Sequence, residues 1–171
     1  MAESIHDQIA NALREGLAAI RADAGTTYHF TPDLVDLVTI YPDTPDDFAG
    51  RDVVYLLRAG EEEHTEAESG DSSTGIGMVG KAEFFLMLCK LFGPSGEQPG
   101  DQPDPSRPRV VNRMVRDALR YLLADVQLGG LAENIIDGSL FVNREMMDAG
   151  KQWAMAELRF VVRYSYLASA P

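Results

Sequence analysis

The segment Lys81–Phe92 constrains the fold most, because it is apolar on both alternating faces: Phe84, Leu86 and Leu88 on one, Phe85, Met87, Cys89 and Leu91 on the other. Successive strand side chains point to opposite sides of a sheet, so such a strand needs cover above and below. The pattern predicts a central strand. Trp153–Tyr166 is its natural companion, since Leu158, Phe160, Val162, Tyr164 and Tyr166 alternate with Glu157, Arg159, Val161, Arg163 and Ser165, the period of a half-buried strand. Asp52–Arg58 reads as a third long strand. Thr26–Phe30 and Leu34–Tyr41, rich in β-branched and aromatic residues and punctuated by Pro32 and Pro42, read as short ones. Ile135 with Ile136, and Ser139–Asn143, fit either short strands or a locally paired loop.

Two segments carry the helical period instead. In Ser4–Arg21, the residues Ile5, Ile9, Leu13, Leu17 and Ile20 fall on one stripe, Ser4 with Asp7 offers a capping-box-like start, and Gly16 is a weak point. His6 falls on the polar side and reads as a surface residue. In Arg109–Val126, the stripe is Val110, Val111, Met114, Val115, Ala118, Leu119, Leu122 and Leu123; Ser106, Arg107 and Pro108 signal its start, and Gly129 and Gly130 its stop. The predicted fold class is α+β: a mixed, mainly antiparallel sheet packed against two main helices, in one domain spanning 1–171.

Two stretches are too polar to build a core. Residues 59–80 hold Glu61, Glu62, Glu63, Glu66, Glu68 and Asp71 followed by Ser and Gly, and are expected to form a long, mobile, acidic β-hairpin loop. Residues 93–108 are dense in Pro, Gly and acidic groups and read as a linker.

Charge narrows the function. With 15 Lys and Arg against 27 Asp and Glu, the formal net charge is -12, a field that repels phosphate backbones and anionic membranes. General nucleic-acid binding is disfavoured, whereas letting DNA slide past without sticking is not, since repulsion is then the useful property. Cys89 is the single cysteine, so no intrachain disulfide forms and a reducing compartment is compatible. Glu3, Asp7, Arg14 and Glu15 do not suit a secretory leader, and the run Phe84–Cys89 is too short to cross a bilayer. The expectation is a soluble protein made in the cytoplasm.

Candidate chemistry is thin. Gly75, Gly77 and Gly80 match a dinucleotide fingerprint in spacing, but an acidic stretch precedes them and a strand follows, where a helix N-terminus is needed. Gly70, Asp71 and Ser72 resemble the surroundings of a nucleophilic serine, with His29 and His64 as bases, yet no scaffold places them together. Glu61, Glu62, Glu63 and His64 carry metal-ligand atoms, although a solvated charge run is the simpler reading. Zinc-ligand spacing and a phosphate loop are missing. No catalytic, cofactor or metal site is expected, and the chain is not expected to be an enzyme.

Arg109, Arg113, Arg116 and Arg120 follow the helical period and lie nearly opposite the apolar stripe, forming a basic ridge on an acidic protein. It is either a solvated face or a contact surface whose acidic counterpart is Glu61, Glu62, Glu63, Glu66 and Glu68 of another copy, which would give a head-to-tail ring.

The opening Ile5-His6-Asp7-Gln8-Ile9 through Leu13-Arg14-Glu15-Gly16-Leu17-Ala18-Ala19-Ile20, the helix Val110–Val126 after the hairpin, and the closing Ala156-Glu157-Leu158-Arg159-Phe160-Val161-Val162-Arg163-Tyr164 together resemble the tail-terminator (tail-completion) proteins of tailed bacteriophages, including lambda terminator-like proteins. The resemblance spans most of the chain as an order of elements, without an invariant motif. The acidic hairpin and the Pro-rich linker depart from the plainest members. It implies a virion protein that forms a six-fold ring at the head-proximal end of the tail tube and halts tube polymerisation. Its partners would be its own copies, the tail tube protein and a head-tail connector or neck protein, with DNA passing through the channel without specific binding and no membrane. It brings no catalytic residues or cofactors. A head-completion or tail-tube protein of the same virion, or an acidic non-viral adaptor module, is the alternative.

Overall fold

A computed structural model of the chain describes residues 4–23, 25–41, 48, 50–67, 76–91, 107–138, 140–144 and 153–168. The element order is α1 (Ile5–Ala18), β1 (Leu34–Leu37), β2 (Val53–Glu66), β3 (Ile76–Leu91), α2 (Arg107–Ala124), a 3-10 turn at Leu128–Gly130, β4 (Phe141–Asn143) and β5 (Trp153–Ala168). The strands form one five-stranded sheet in the order β1-β2-β3-β5-β4. Only the β1–β2 pair is parallel, so the sheet is mixed and mainly antiparallel, and with two helices the fold is α+β as predicted.

Of the expected strand Lys81–Phe92, the described part Lys81–Leu91 does occupy the centre. β3 pairs with β2 from Lys90 back to Met78 and with β5 from Leu91 back to Ile76. One face of the sheet is covered by both helices. There Tyr55 and Leu57, Phe84, Leu86 and Leu88, and Leu158, Phe160 and Val162 pack on Ile9, Leu13 and Leu17 of α1 and on Met114, Val115, Ala118 and Leu122 of α2. The opposite face has a smaller cluster, Val54, Leu56, Met87, Cys89, Trp153 and Met155, covered by Leu34, Val38, Tyr41 and Phe48. The two apolar faces of β3 thus serve two separate clusters, which is why its sequence lacks alternation.

α1 begins as expected: the Ser4 hydroxyl accepts from the Asp7 amide at 3.1 Å and donates to the Asp7 carboxylate at 2.7 Å. His6 is not a surface residue; its ring is half-buried and stacks on Phe84 with centroids 5.5 Å apart. Gly16 has a packing reason. A Cβ there would stand 1.9 Å from the Tyr121 hydroxyl of α2, so the two helices approach through its missing side chain. α2 starts at Arg107, two residues before the expected start, and ends at Ala124. Asp125 then accepts from the amides of Gln127 and Gly129, and Gly129 and Gly130 take φ of 64° and 97°, a left-handed exit that glycine makes without strain.

Other expectations need correction. Thr26–Phe30 is not a strand. Its main chain is held by side chains of α2, as described below, and such bonds replace a ladder. The strand expected over Leu34–Tyr41 is only Leu34–Leu37, because parallel pairing stops where Val38 N donates to Leu57 O at 2.9 Å. The acidic stretch is not a loop over most of its described length. Ala59–Glu66 continues β2 and Ile76–Gly80 opens β3, in register from Glu62↔Ala82 to Glu66↔Met78. Polarity predicted a loop, but backbone pairing to a neighbouring strand does not require apolar side chains. Residues 68–75, with Glu68, Asp71, Ser72 and Gly75, lie outside the described residues, as do Phe92 and 93–106 of the expected linker. Ile135 is fully buried, and Asn134 bridges to Arg163 beside β4, which supplies the strand within Ser139–Asn143.

Gly16→Ala is expected to lower stability by about 1–3 kcal/mol in urea unfolding, against the gain in helix propensity, because the added methyl meets a ring held between two helices. Tyr121→Leu in the Gly16→Ala background should remove that penalty.

Candidate assembly interface

The long strands outrun the helices. Sixteen residues of β3 or β5 extend about 53 Å at roughly 3.3 Å per residue, whereas the eighteen of α2 span about 27 Å. The outer ends of β2, β3 and β5 therefore form a three-stranded arm. The expected acidic residues line it: Glu61, Glu62, Glu63 and Glu66 are exposed along β2.

A polar and aromatic chain crosses the arm. The Tyr164 hydroxyl of β5 donates to the Glu62 carboxylate of β2, the Glu62 carboxylate lies 3.6 Å from His64 Nε2, and His64 Nδ1 meets the Tyr166 hydroxyl at 3.0 Å. Tyr164 can lie across the sheet because Gly80 is beneath it, where a Cβ would approach the ring to 2.3 Å. Gly80 and Gly77 are thus strand residues, with Gly80 taking an aromatic side chain and no helix following to receive a phosphate. Burial first, and then the Glu62 contact, push the Tyr164 hydroxyl well above the ordinary phenol range, so it stays a donor. At the start of the arm a β-bulge separates Ala59 from Glu62, and a Cβ on Gly60 would stand 2.7 Å from the Phe85 ring.

On the opposite face, Glu63 aligns with Lys81 and Arg163. Both cations are engaged elsewhere: Lys81 Nζ is 2.7 Å from Asp137, and Arg163 Nε is 2.8 Å from Glu133. Arg58, Phe85 and Arg159 form a row nearer the core, each guanidinium over the Phe85 ring at 4.2 and 5.5 Å, and Arg159 pairs with Glu83.

The basic ridge on α2 is shorter than expected. Arg109, Arg113 and Arg116 are exposed, and none of the ion pairs found among the described residues involves them. Arg120 is half-buried, donates to the Thr27 carbonyl and lies 5.9 Å from the Tyr28 ring centroid, so it serves the fold. Leu123, 61% exposed, continues the outer face at the C-terminal end. Within the protomer, no described ion pair joins this ridge to the arm.

The sequence gives little sign of Asp117, which sits among the arginines of α2. It is fully buried, and its carboxylate accepts from His29 N at 2.7 Å, Phe30 N at 2.9 Å and His29 Nδ1 at 2.8 Å. An acid flanked by Arg113, Arg116 and Arg120 looks like part of the solvated face. Only the approach of residues 28–30 distinguishes it. Among the described residues no group of three or more His, Cys, Asp or Glu could hold a metal ion, and no helix is long and apolar enough to cross a membrane.

No family model matches the chain, and no curated protein matches it in sequence. Among solved structures it is similar to the sheath/tube terminator of an extracellular contractile injection system, PVC, in the extended state, at 13% identity and a TM-score of 0.43 over 99% of this chain. The chain spans 59% of the length of that protein.

Asp117→Ala is expected to cost about 1–3 kcal/mol in equilibrium unfolding, since the part-buried amides of His29 and Phe30 lose their acceptor. Tyr164→Phe removes one partly exposed bond and should cost about 1 kcal/mol, with the loss of amide protection confined to the arm.

Proposed function

We propose that this chain is a structural assembly protein of the tail-terminator kind, which forms a ring at the head-proximal end of a tail tube, stops the tube's growth and offers a joining surface to the head or neck. The observation that carries the reading is the separation of charge on one protomer. A basic ridge, Arg109, Arg113 and Arg116, stands on α2, and an acidic arm, Glu61, Glu62, Glu63 and Glu66, stands on the sheet. Different surfaces of opposite sign suit head-to-tail association, which closes into a ring when the rotation between copies closes.

The element order supports it as well. An amphipathic first helix, a short strand, a long hairpin, an Arg-bearing helix, a short strand and a long last strand follow one another as the resemblance to tail terminators leads one to expect. In this reading the partners are further copies, six to a ring, the tube protein and a head connector, and the protein's place is the virion. DNA crosses the ring without specific binding, and a net charge of -12 keeps phosphates from adhering. The charges serve docking and not bond-making, so the protein is not an enzyme. A head-completion or tube protein would use the same surfaces in the same particle.

Electron microscopy of the purified protein, alone and mixed with tail tubes, is the direct test, and rings at one end of the tubes are the expected result. Arg113→Glu together with Arg116→Glu should reduce the ring-bearing fraction about tenfold while leaving the fold intact by circular dichroism. A monomer that ignores tubes at every concentration would sink the proposal.

A further inference from the structure

Among the described residues, nothing pairs with the outer edge of β2 along the arm. Asp33 N donates to Val53 O and Val38 N to Leu57 O, so β1 occupies this edge only as far as Leu57. From Ala59 to Glu66, about 26 Å of strand, no described residue bonds to the outward side. The orientation of the main chain follows from the hairpin. Ala67 N donates to Gly77 O at 2.8 Å, so Thr65 and Glu63, alternating with it, exchange their bonds with β3. Glu62, His64 and Glu66 therefore turn their N–H and C=O groups outward. A row of unpaired main-chain groups is a template for a further strand.

The side chains select the occupant. Glu66 presents its carboxylate on one face of the edge, where Glu62 is already held by Tyr164 and His64; Glu63 acidifies the other face, and Glu61 is exposed at the bulge. The cations aligned with Glu63, Lys81 and Arg163, are held by Asp137 and Glu133, and none of the described ion pairs joins a Lys or Arg to Glu61, Glu63 or Glu66. Two such edges repel each other, so the carboxylates that keep one copy from pairing edge to edge with another favour a strand of the opposite sign. An arginine-bearing helix, such as α2 of a second copy, would meet the carboxylates but leave the outward amides unpaired. A strand satisfies both.

We infer that the edge Ala59–Glu66 of β2 is a strand-addition site for an extended segment of a partner protein that carries Lys or Arg at alternate positions. The open main-chain row supplies affinity, and the carboxylates supply the choice of sequence. The inference assigns the outward main-chain row and Glu66 to a strand and leaves the exposed Glu61 and Glu63 to the α2 ridge of the proposed ring, so that either reading can fail alone.

The probe is an octapeptide of alternating Lys and Thr, titrated into the full chain at low salt and followed by amide NMR. The expected result is binding that weakens with salt, with slowed exchange at the amides of Glu62, His64 and Glu66 and little change at Glu63 and Thr65. Glu66→Gln should weaken it about threefold. The same peptide N-methylated across its central residues keeps its charge and cannot pair, and should not bind. Equal binding of the N-methylated peptide would mean charge attraction alone and would overturn the inference. So would failure of the parent peptide to bind, or carboxylates occupied instead by the α2 ridge of a second copy, revealed by binding that appears only in Arg113→Glu.

Discussion

Everything in this fold hangs on the pairing of β3 with two neighbours over its whole length. A strand hydrogen-bonded on both edges and apolar on both faces has no favourable exposed state. Its burial recruits the helices to one face, where Phe84, Leu86 and Leu88 lie, and the segment with Val38, Tyr41 and Phe48 to the other. β1 and β4 reach only part of the way along β2 and β5 and add little to this requirement. The same central strand continues past the helices, and beyond them it no longer needs apolar partners. The ladder persists while the side chains turn polar, which produces an arm that shares the core's backbone geometry and has a quite different surface.

The join between helices and sheet is more specific than hydrophobic contact. Gly16 lets α1 reach Tyr121, and the buried Asp117 carboxylate binds the main chain of His29 and Phe30 across the end of the sheet. The second contact fixes how α2 sits about its own axis. A helix with a broad apolar stripe can roll by tens of degrees and still bury it, but a carboxylate with three short bonds cannot follow such a roll. The exposed position of Arg109, Arg113 and Arg116 is thus a consequence of where Asp117 is tied. Arg120, nearer the tie, is drawn into it through Thr27.

What could be read from the residues depended on whether periodicity carried the signal. The central strand, both helices, the long last strand and the α+β class followed from apolar spacing and were legible. The arm was not, because Glu61, Glu62, Glu63 and Glu66 mark both faces of β2 as polar, and a strand polar on both faces has no period-two contrast. The information lay in the partners: Gly80 opposite Tyr164 and Met78 opposite Tyr166 are pairings between distant segments, invisible until the register is known. Thr26–Phe30 failed for the reverse reason, having strand-like residues but main-chain partners on a helix. Of the candidate site, Arg109, Arg113 and Arg116 were legible from helical spacing as an exposed row. Arg120 shared that spacing and was taken up by the fold through a carbonyl 93 residues away in sequence.

Placing the acidic residues on a strand changes what they can do. Carboxylates on a loop form a diffuse cloud that attracts any cation, whereas on a paired strand they keep fixed intervals, about 13 Å between Glu62 and Glu66 on one face, beside main-chain groups of fixed direction. Spacing and direction together turn a charge into a recognition element. The cross-strand chain from Tyr164 through Glu62 and His64 to Tyr166 makes this cheaper to use, because it braces the arm before any partner arrives. Ordering entropy that a loop would lose on docking has already been lost in folding. An arm of this kind would meet a partner as a preformed edge, with less chain left to order than a loop of the same residues.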